Sequence, residues 1–467
     1  MSTLLVKNIA HLATFDNDAT EWRDAAMLVR DNVIEQIGPG ESLRGMKADR
    51  EIDLAGHIVM PGMVNTHHHM YQNLTRVMAQ DDELFPWLKT LYPIWAQLDD
   101  DAIEVSARVA MAELLMSGCT TSSDHLYMLP NRTQLDSEIR AAQTMGMRFH
   151  AARGAMSRGE SAGGLPPDRC VENEDDILAD AKRLIHRYHD AERHAMMRIV
   201  LAPCSPFSVT PELMRESARL ARRHPGVRLH AHLCEELDEE RYCREIYGMR
   251  SVELMEQVEW LGDDVWFAHC IFMNDAEIDL FAQTGTGVAH CPSANMRCGQ
   301  GIAKIRQMLD RGVPVALGVD GSASNDTSNM FLETRLAQLL QRVAPARYGE
   351  EPPGGRGGFG GTPGALSARE ALTMATRGGA RILGRDDVGY LAPGMSADFI
   401  AVDMDQLAFA GTQRDPLAAL VMCGPFKVDH SFVNGKQLIA HGQFTSFDVK
   451  ELMASHRTAM KRVFDQA

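Results

Sequence analysis

Composition and charge limit what this chain can be. It has 467 residues, with 47 Lys and Arg against 63 Asp and Glu, and a formal net charge of −16. Because nucleic acids and anionic membranes are bound through basic patches, this balance disfavours both as partners. Hydrophobic residues make up 45% and charged residues 24%, which excludes wholesale disorder. The length fits one large domain and a smaller one, or two to three ordinary domains.

The cysteines and the N-terminal segment predict a cytoplasmic location. The 9 cysteines, an odd number, are scattered without a Cys-x-x-Cys pair, which favours reduced thiols over disulfides or a zinc knuckle. Residues 1–8 lack the basic and apolar regions of a secretory signal. No apolar run approaches the roughly 18 residues that span a bilayer. We therefore expect a cytoplasmic protein without a membrane partner.

The two ends of the chain share one pattern. Residues 1–58 contain short alternating apolar stretches separated by Asp, Asn and Gly, and residues 390–445 return to the same pattern. Asn434-Gly435 between two such stretches predicts a tight hairpin. We predict that residues 1–58 and 392–445 combine into one small β-sandwich domain, followed by a helix over residues 446–467.

The middle of the chain alternates short apolar runs with stretches of helical length. We predict strands over residues 63–67, 120–124, 147–153, 198–203, 227–233, 265–269, 287–291 and 313–320. Helix-like segments lie between them, for example over residues 102–117 and 276–284. Strand–helix alternation with this strand count predicts an α/β fold, a TIM-type (β/α)8 barrel over residues 59–391.

Two inserted segments differ from this alternation. Residues 84–95 are dense in aromatic side chains, and they either roof a planar ligand or pack on the rim of the barrel. Residues 352–364 are rich in Gly and Pro, which predicts a flexible loop.

A histidine cluster ends the first predicted barrel strand. Residues 65–69 are Asn-Thr-His-His-His. Side chains alternate along a strand, so His67 and His69 share a face and His68 points away. At the C-terminal mouth of a barrel, where active sites lie, two such imidazoles form half of a divalent metal site.

Other strand ends supply the remaining polar groups. The fifth strand places His232 beside this pair and Glu235 just beyond the strand, while the sixth and eighth strands end at His269 and Asp320. Burying such groups costs free energy unless they are paired or bind a metal. The fourth strand contains no Lys that could bridge two ions. We therefore predict one divalent ion held by three His and one Asp.

The pattern His67-x-His69, His232 with Glu235, His269 and Asp320 resembles the mononuclear branch of the amidohydrolase superfamily. The resemblance covers the barrel and the β domain built from both termini. Segments 65–72, 85–93, 202–211 and 318–326 are most similar to bacterial 8-oxoguanine deaminases. Hydroxyatrazine-type triazine hydrolases and isoxanthopterin deaminases resemble the chain nearly as well.

The resemblance implies roles for the polar residues. His67, His69, His232 and Asp320 would hold one zinc ion per subunit, with Fe2+ as the alternative. Asp320 would also act as a base toward water. Glu235 would carry a proton to a ring nitrogen. His269 would hydrogen-bond the attacking water, or ligate the metal directly.

The predicted substrate contacts are less specific. The resemblance implies that Gln72 reads the purine. Arg153 either meets a ring oxygen or forms a buried ion pair. Trp95 either stacks on a flat heterocycle or lines the rim, and Asn325 either binds the ring or caps a turn.

The activity implied by the resemblance is hydrolytic deamination of a small planar heterocycle. The favoured reaction converts 8-oxoguanine and water to urate and ammonia. The alternatives are an isoxanthopterin or guanine deaminase, an s-triazine aminohydrolase, and, least favoured, a non-catalytic scaffold. Relatives are commonly dimers or larger, which implies a homo-oligomer.

Overall fold

A computed structural model describes residues 2–347, 366–424 and 426–467 of the chain. The predicted loop over residues 352–364 lies outside these ranges. Within them, every helix is too short or too polar to cross a membrane.

The strands and helices of the described residues are numbered along the chain. The strands are β1 (Thr3–Ala13), β2 (Glu21–Arg30), β3 (Val33–Pro39), β4 (Arg50–Asp53), β5 (His57–Pro61), β6 (Met63–Asn65), β7 (His68–His69), β8 (Cys119–Leu126), β9 (Arg148–Ala155), β10 (Met197–Pro203), β11 (Arg228–Leu233), β12 (Val265–His269), β13 (Gly287–His290), β14 (Val315–Leu317), β15 (Asp320–Gly321), β16 (Phe399–Asp403), β17 (His430–Val433), β18 (Lys436–Ala440) and β19 (Gln443–Phe444). The α-helices are α1 (Leu84–Trp95), α2 (Asp100–Met116), α3 (Asp136–Met145), α4 (Glu174–Tyr188), α5 (Pro211–Ala221), α6 (Leu237–Tyr247), α7 (Ser251–Gln257), α8 (Asp275–Thr284), α9 (Pro292–Arg297), α10 (Ile305–Asp310), α11 (Met330–Arg347), α12 (Ala368–Thr373), α13 (Gly379–Ile382), α14 (Pro416–Met422) and α15 (Val449–Gln466).

The central sheet is the predicted barrel. Its 8 strands run in the order β14-β13-β12-β11-β10-β9-β8-β6, and all the pairings are parallel. The first and last strands meet where the Thr66 amide donates to the Leu317 carbonyl oxygen at 3.0 Å. Beyond that point β7 pairs in parallel with β15. These bonds bring the ends of the first and last strands together at the mouth of the barrel.

Both chain ends contribute to a second, mixed sheet, as predicted. Its order is β19-β18-β17-β16-β5-β1-β2-β3, with β4 on β1. The antiparallel pair of β5 and β16 joins the N-terminal strands to the C-terminal ones. Because β5 ends at Pro61 and β6 begins at Met63, the terminal sheet leads directly into the barrel strand that carries the histidine cluster.

Candidate metal centre and active site

Four predicted ligands from three parts of the barrel meet at its mouth. His69 Nε2 lies 3.1 Å from His232 Nε2. Asp320 Oδ1 lies 3.1 Å from His67 Nε2 and 3.3 Å from His69 Nε2. All four side chains are buried. A donor nitrogen of His125 also lies within 4.8 Å of donor nitrogens of the three histidines.

Hydrogen bonds behind two of the imidazoles determine which nitrogen carries the proton. His69 Nδ1 lies 2.7 Å from the His125 carbonyl oxygen, and His232 Nδ1 lies 2.8 Å from the Cys204 carbonyl oxygen. A carbonyl oxygen only accepts, so Nδ1 of each ring must donate. In the neutral imidazole, Nε2 then bears a lone pair and no proton.

In His67, Nε2 is also left without a proton, because its Nδ1 donates to a second histidine, His230. His230 Nδ1 lies 3.0 Å from the Trp266 carbonyl oxygen and must donate to it. His230 Nε2 is therefore an acceptor, and His67 Nδ1 donates to it across 2.8 Å. The Nε2 atom of His67 is left buried without a hydrogen-bond partner. His230 is thus a buried, hydrogen-bonded side chain that orients a predicted ligand.

This donor set fits a divalent ion. Lone pairs of three nitrogens and one carboxylate oxygen face one another at 3.1–3.3 Å. These lone pairs repel one another unless a cation lies among them. Zinc–nitrogen bonds of about 2.0–2.1 Å at tetrahedral angles place ligand atoms about 3.3–3.4 Å apart. Burial lowers the pKa of His67, His69 and His232, which keeps them in the neutral form that binds metals.

Glu235 and His269 face each other beside the ligands. The Glu235 Oε1 atom lies 3.5 Å from His269 Nε2 and accepts a 2.6 Å hydrogen bond from Gln300 Nε2. His269 Nδ1 donates to Asn295 Oδ1 at 2.9 Å, which leaves His269 Nε2 buried and unpartnered. Burial raises the pKa of the Glu235 carboxyl above its ordinary value. A raised pKa makes this carboxyl group a better proton donor than an ordinary glutamate, as a general acid requires.

The backbone is strained where the strands end at the site. Cys234, His269 and Asp320 have φ angles of 50°, 71° and 60°, a left-handed region that non-glycine residues rarely occupy. Gly318 lies against His67, where an added Cβ would stand 2.6 Å from the His67 Cβ. Gly321 leaves the space that the Gln72 side chain fills. The turns around Asp320 therefore require these two glycines.

A cavity of about 500 Å³, measured to its open mouth, lies above the ligands. Helix α1 covers it with one face, as the predicted roof. The lining combines three ligands and both candidate proton carriers with flat and apolar side chains, namely His69, Gln72, Leu84, Trp87, Leu88, Tyr92, Tyr127, Cys204, Ser205, Phe207, His232, Glu235, His269, Cys298, Asp320 and Ser324. Such a slot suits a planar ligand.

Gln72 is the one predicted substrate contact that lines the cavity. Its Nε2 atom donates to the Tyr127 hydroxyl at 3.3 Å, and its Oε1 atom is buried without a partner. Trp95 shares the buried face of α1 but packs on Tyr71 and donates to Thr75 Oγ1. Asn325 donates to the Val319 carbonyl oxygen at 2.6 Å, as in the turn-capping alternative.

Arg153 lies outside the cavity. Its guanidinium group pairs with Glu172 and Asp180 at 2.8 Å each. It shares a strand face with Phe149 and Ala151, which pack in the core around the barrel. Strand alternation therefore turns Arg153 away from the mouth, and the buried ion pair is the alternative that the geometry supports.

Two functional side chains have no recognisable signal in the sequence. Gln300 and Asn295 hold Glu235 and His269 through single hydrogen bonds. Asn295 lies on the short helix α9 and Gln300 follows it, in a segment without a strand-end or ligand pattern. Only the tertiary fold brings them to the site.

Comparison with known proteins identifies the family. A model of the amidohydrolase family matches residues 58–438. The chain is 44% identical to 8-oxoguanine deaminase of Pseudomonas aeruginosa over 98% of both chains. It is 38% identical to hydroxydechloroatrazine ethylaminohydrolase of Pseudomonas sp. strain ADP, over 99% of this chain and 96% of that one.

A solved structure agrees with this assignment. Atrazine chlorohydrolase from Arthrobacter aurescens TC1, complexed with zinc, matches with a TM-score of 0.91 and 34% identity, over 98% of this chain and 100% of that one. The chain belongs to the amidohydrolase family and is a metal-dependent hydrolase that acts on C–N bonds.

Proposed function

We propose that this protein is a cytoplasmic zinc enzyme that deaminates 8-oxoguanine to urate. The observation that carries the chemistry is the position of Glu235, whose carboxyl group shares one cavity with the ligand set and has a raised pKa. The choice of substrate rests on the 44% identity to an 8-oxoguanine deaminase along the full length of both chains. Free thiols at all nine cysteines, which lie within the described residues, support the location.

The ligand set is His67, His69, His232 and Asp320. When bound there, a zinc ion supplies Lewis-acid activation of water and lowers the pKa of that water towards about 7. Zinc is favoured over iron because the solved relative with 34% identity is complexed with zinc, and because imidazole and carboxylate donors at this spacing suit it.

The protein side chains move the protons. Asp320 accepts a proton from the attacking water, and the unpartnered Nε2 of His269, whose Nδ1 donates to Asn295, accepts a hydrogen bond from that water. Glu235 gives a proton to the ring nitrogen beside the amine-bearing carbon, so that negative charge does not build up there as the C–O bond forms. Asp320 then passes its proton to the amine and the C–N bond breaks; as the new C=O bond forms, the hydroxyl proton returns to Glu235, and one urate and one ammonia leave. Proton transfer of this kind contributes roughly 10²–10⁴ in rate.

The cavity walls select a flat, polar-edged ring. Trp87 and Leu88 of α1 cover it on one side, and Phe207 lines another part of the wall. Gln72 offers its buried, unpartnered Oε1 to a ring N–H, and Tyr127 offers a hydroxyl. An unmet acceptor at this position favours substrates that donate a hydrogen bond there, as an oxopurine does.

A second candidate is an s-triazine aminohydrolase. The 38% identity to hydroxydechloroatrazine ethylaminohydrolase supports it, and the apolar side chains of Leu84, Leu88 and Phe207 could accept an alkyl group. An isoxanthopterin deaminase is a third. All three use the same proton carriers and differ only in the ring that fits the cavity.

Turnover of a substrate panel separates these candidates. Zinc-loaded protein is given 8-oxoguanine, guanine, isoxanthopterin or hydroxyatrazine, and the released ammonia or alkylamine is measured with the ring product. We expect the highest kcat/KM for 8-oxoguanine, with urate and ammonia in equal amounts. Turnover of another ring without turnover of 8-oxoguanine would contradict the proposed substrate. No turnover of any ring would favour the non-catalytic scaffold.

A further inference from the structure

A groove rich in arginine lies at the end of the barrel opposite the metal centre. Its lining includes Arg228, the first residue of β11, and Val315, the first residue of β14, whereas the predicted metal ligands lie near or beyond the C-terminal ends of their strands. The groove has a volume of about 1880 Å³, measured to its open mouth. Among the described residues, it shares no lining residue with the cavity above the metal ligands.

The lining of this groove carries an excess of positive charge. Five arginines face two acidic residues, Glu370 and Asp386, which leaves an excess of three positive charges. The arginines of the lining are Arg228, Arg306, Arg377, Arg381 and Arg385. The whole chain has a net charge of −16, so the excess is local. We call this feature the basic groove.

Two of the five arginines are neutralised by carboxylates of the protein. Arg306 pairs with Glu370 at 2.7 Å, and Arg385 pairs with Asp387 at 2.7 Å. Asp386, the other acidic residue of the lining, lies 3.3 Å from an arginine outside the groove. Both acidic residues of the lining therefore already have a cationic partner.

The other three arginines form no ion pair with any carboxylate of the described residues. Arg228 donates to backbone carbonyl oxygens, among them that of Ile382 at 3.3 Å. Arg377 lies over the Tyr390 ring, 5.3 Å from its centroid, and donates to uncharged oxygens of the N-terminal segment. Arg381 is exposed, and nothing in the described parts of the chain bonds to it. Arg377 and Arg381 are four residues apart in consecutive helical turns, so they project from one side.

A further guanidinium group lies behind the basic groove. Arg198 of β10 is buried, donates to the Gly384 and Ala191 carbonyl oxygens at 2.9 and 3.3 Å, and has an unpartnered Nε. Burial lowers the pKa of Arg198 to about 10 and also lowers the pKa of Arg228. A buried cation that meets only carbonyl oxygens is costly unless an anion lies nearby. These two arginines therefore favour an anionic ligand in the groove.

The rest of the lining indicates the class of anion. Guanidinium groups bind phosphate through paired hydrogen bonds, and apolar walls suit the organic part of a small molecule. An extended nucleic acid would also bring its charges against the remainder of an acidic chain. The apolar and aromatic side chains beside the arginines include Leu309, Val313, Met374, Val388 and Tyr390.

We propose that the basic groove binds a phosphorylated small molecule of nucleotide size. Arg377 and Arg381 hold the phosphate groups, and Arg228 adds a third positive charge. Tyr390 and the apolar side chains contact the organic part. Because the groove and the cavity lie at opposite ends of the barrel, this ligand does not compete with the substrate, and the proposal does not depend on which ring is the substrate.

Equilibrium dialysis of zinc-loaded protein against radiolabelled ATP in excess Mg2+ tests the proposal. We expect one ATP per wild-type chain. In Arg381→Gln the dissociation constant should rise about tenfold, because charged hydrogen bonds to a phosphate group are lost. The matched control is Arg132→Gln, which removes an exposed arginine in the segment after β8, and it should bind ATP as the wild type does.

A second variant and a competitor sharpen the test. Since Arg381 is exposed and unbonded, its variants should fold with the thermal midpoint of the wild type, and Arg381→Glu should bind ATP more weakly than Arg381→Gln. Inorganic phosphate should displace ATP only at much higher concentrations, because it lacks the organic part, and displacement at equal concentrations would overturn the choice of ligand. No ATP bound by the wild type, or equal affinities in the wild type and both Arg381 variants, would overturn the site itself.

Discussion

His230 controls which nitrogen of His67 faces the metal centre. It accepts from His67 Nδ1 at 2.8 Å because its own Nδ1 is committed to the Trp266 carbonyl oxygen. Without that acceptor, His67 is free to carry its proton on Nε2, where it blocks ligation. Groups of this kind typically contribute about 10–100-fold to metal affinity.

We therefore expect His230→Phe to weaken zinc binding by about 10–100-fold. Chelator competition on the purified variant measures the loss. The matched control is His290→Phe, which removes another buried imidazole that makes no hydrogen bond to a ligand, and it should bind zinc as the wild type does. Equal affinities for His230→Phe and the wild type would mean that His230 does not orient His67.

Glu235→Gln should lose most turnover while it keeps its zinc. The amide cannot carry a proton between water and the ring, so we expect kcat to fall by roughly 10²–10⁴. Glu236→Gln changes the neighbouring carboxylate, which does not line the cavity, and serves as the control. Steady-state kinetics and metal analysis on the same samples check both parts, and full activity in Glu235→Gln would remove Glu235 from the mechanism.

The candidate ligands could be picked out from the sequence, whereas the residues that hold the proton carriers beside them could not. His67, His69 and His232 are recognisable because imidazoles stand at the ends of apolar strands, where burial must be compensated. Gln300 acts through one hydrogen bond from a loop, and nothing in the local pattern marks it. The sequence left Arg153 open between a substrate contact and a buried ion pair, and the packing of Phe149 on the same face of β9 favours the ion pair.

At the scale of elements, α1 has two functions on one apolar face. Trp87 lines the cavity and donates to the Ala323 carbonyl oxygen at 3.1 Å, whereas Trp95 is fully buried against Tyr71. The aromatic density of the segment left a roof and rim packing as alternatives, and each describes one of the two tryptophans. Helical periodicity places both tryptophans on one face of α1. It does not predict which of them lines the cavity, because that depends on their position along the helix axis.

Substitution of the two tryptophans should separate the two functions. We expect Trp87→Phe to raise KM several-fold, and to lower the free energy of unfolding as well, because it also removes a buried hydrogen bond, to the Ala323 carbonyl oxygen. Trp95→Phe loses a hydrogen bond to Thr75 and leaves a void, so it should lower the free energy of unfolding by about 1–3 kcal/mol and leave KM unchanged. Michaelis constants and denaturant titrations of both variants test this. A raised KM for Trp95→Phe together with an unchanged KM for Trp87→Phe would contradict the assigned positions.

The strands of the barrel were predictable because each is a short apolar run, and all eight predicted positions are occupied by strands. The last one is interrupted: β14 ends at Leu317 and β15 begins at Asp320. Gly318 lies in this break, where only glycine fits against His67. A pattern of hydrophobic residues cannot show such a steric requirement, because it arises from a residue about 250 positions earlier in the chain.

At the scale of the whole molecule, one buried ion pair links the barrel to the terminal sheet. Arg148 of β9 binds Asp398 with two hydrogen bonds of 2.9 Å, and both side chains are almost fully buried. Asp398 also accepts from the Asn434 amide at 2.7 Å, in the hairpin before β18. The pair therefore ties a barrel strand to the C-terminal part of the chain.

Asp398→Asn should destabilise the protein strongly, because it leaves the buried charge of Arg148 with carbonyl oxygens but no carboxylate to balance it. Breaking such a pair typically costs about 3–5 kcal/mol. Arg219 and Glu259 form an ion pair in which both side chains are about half exposed, so Glu259→Gln should cost at most about 1 kcal/mol. Urea titrations of both variants test this, and a similar cost for the two would argue against the link.

Acid should weaken the attachment of α15. Burial, with the charges of Arg76 and Arg457, lowers the pKa of His456 to about 4. Between about pH 6.5 and pH 4, the His456 imidazole binds a proton in the unfolded chain but not in the folded chain. Its contribution to the free energy of unfolding is therefore complete above about pH 6.5 and is lost as the pH falls towards 4. Since His456 is partly exposed, we expect a loss of about 1–2 kcal/mol between pH 7 and pH 5.

The variant His456→Gln isolates this effect. The amide can still reach Asn73 Oδ1, the 2.7 Å partner of His456 Nε2, but it does not titrate. Its free energy of unfolding should fall less between pH 7 and pH 5 than that of the wild type, while His186→Gln should follow the wild type. Parallel pH dependence in all three proteins would exclude His456 as the source.

The central claim is that four side chains from distant parts of the chain hold one ion at the mouth of the barrel. Anomalous diffraction at the zinc absorption edge from zinc-loaded crystals tests it most directly. We predict an anomalous peak within bonding distance, about 2.0–2.2 Å, of Nε2 of His67, His69 and His232 and of an Asp320 oxygen. A zinc-loaded, active crystal form without a peak among these four groups would contradict the account.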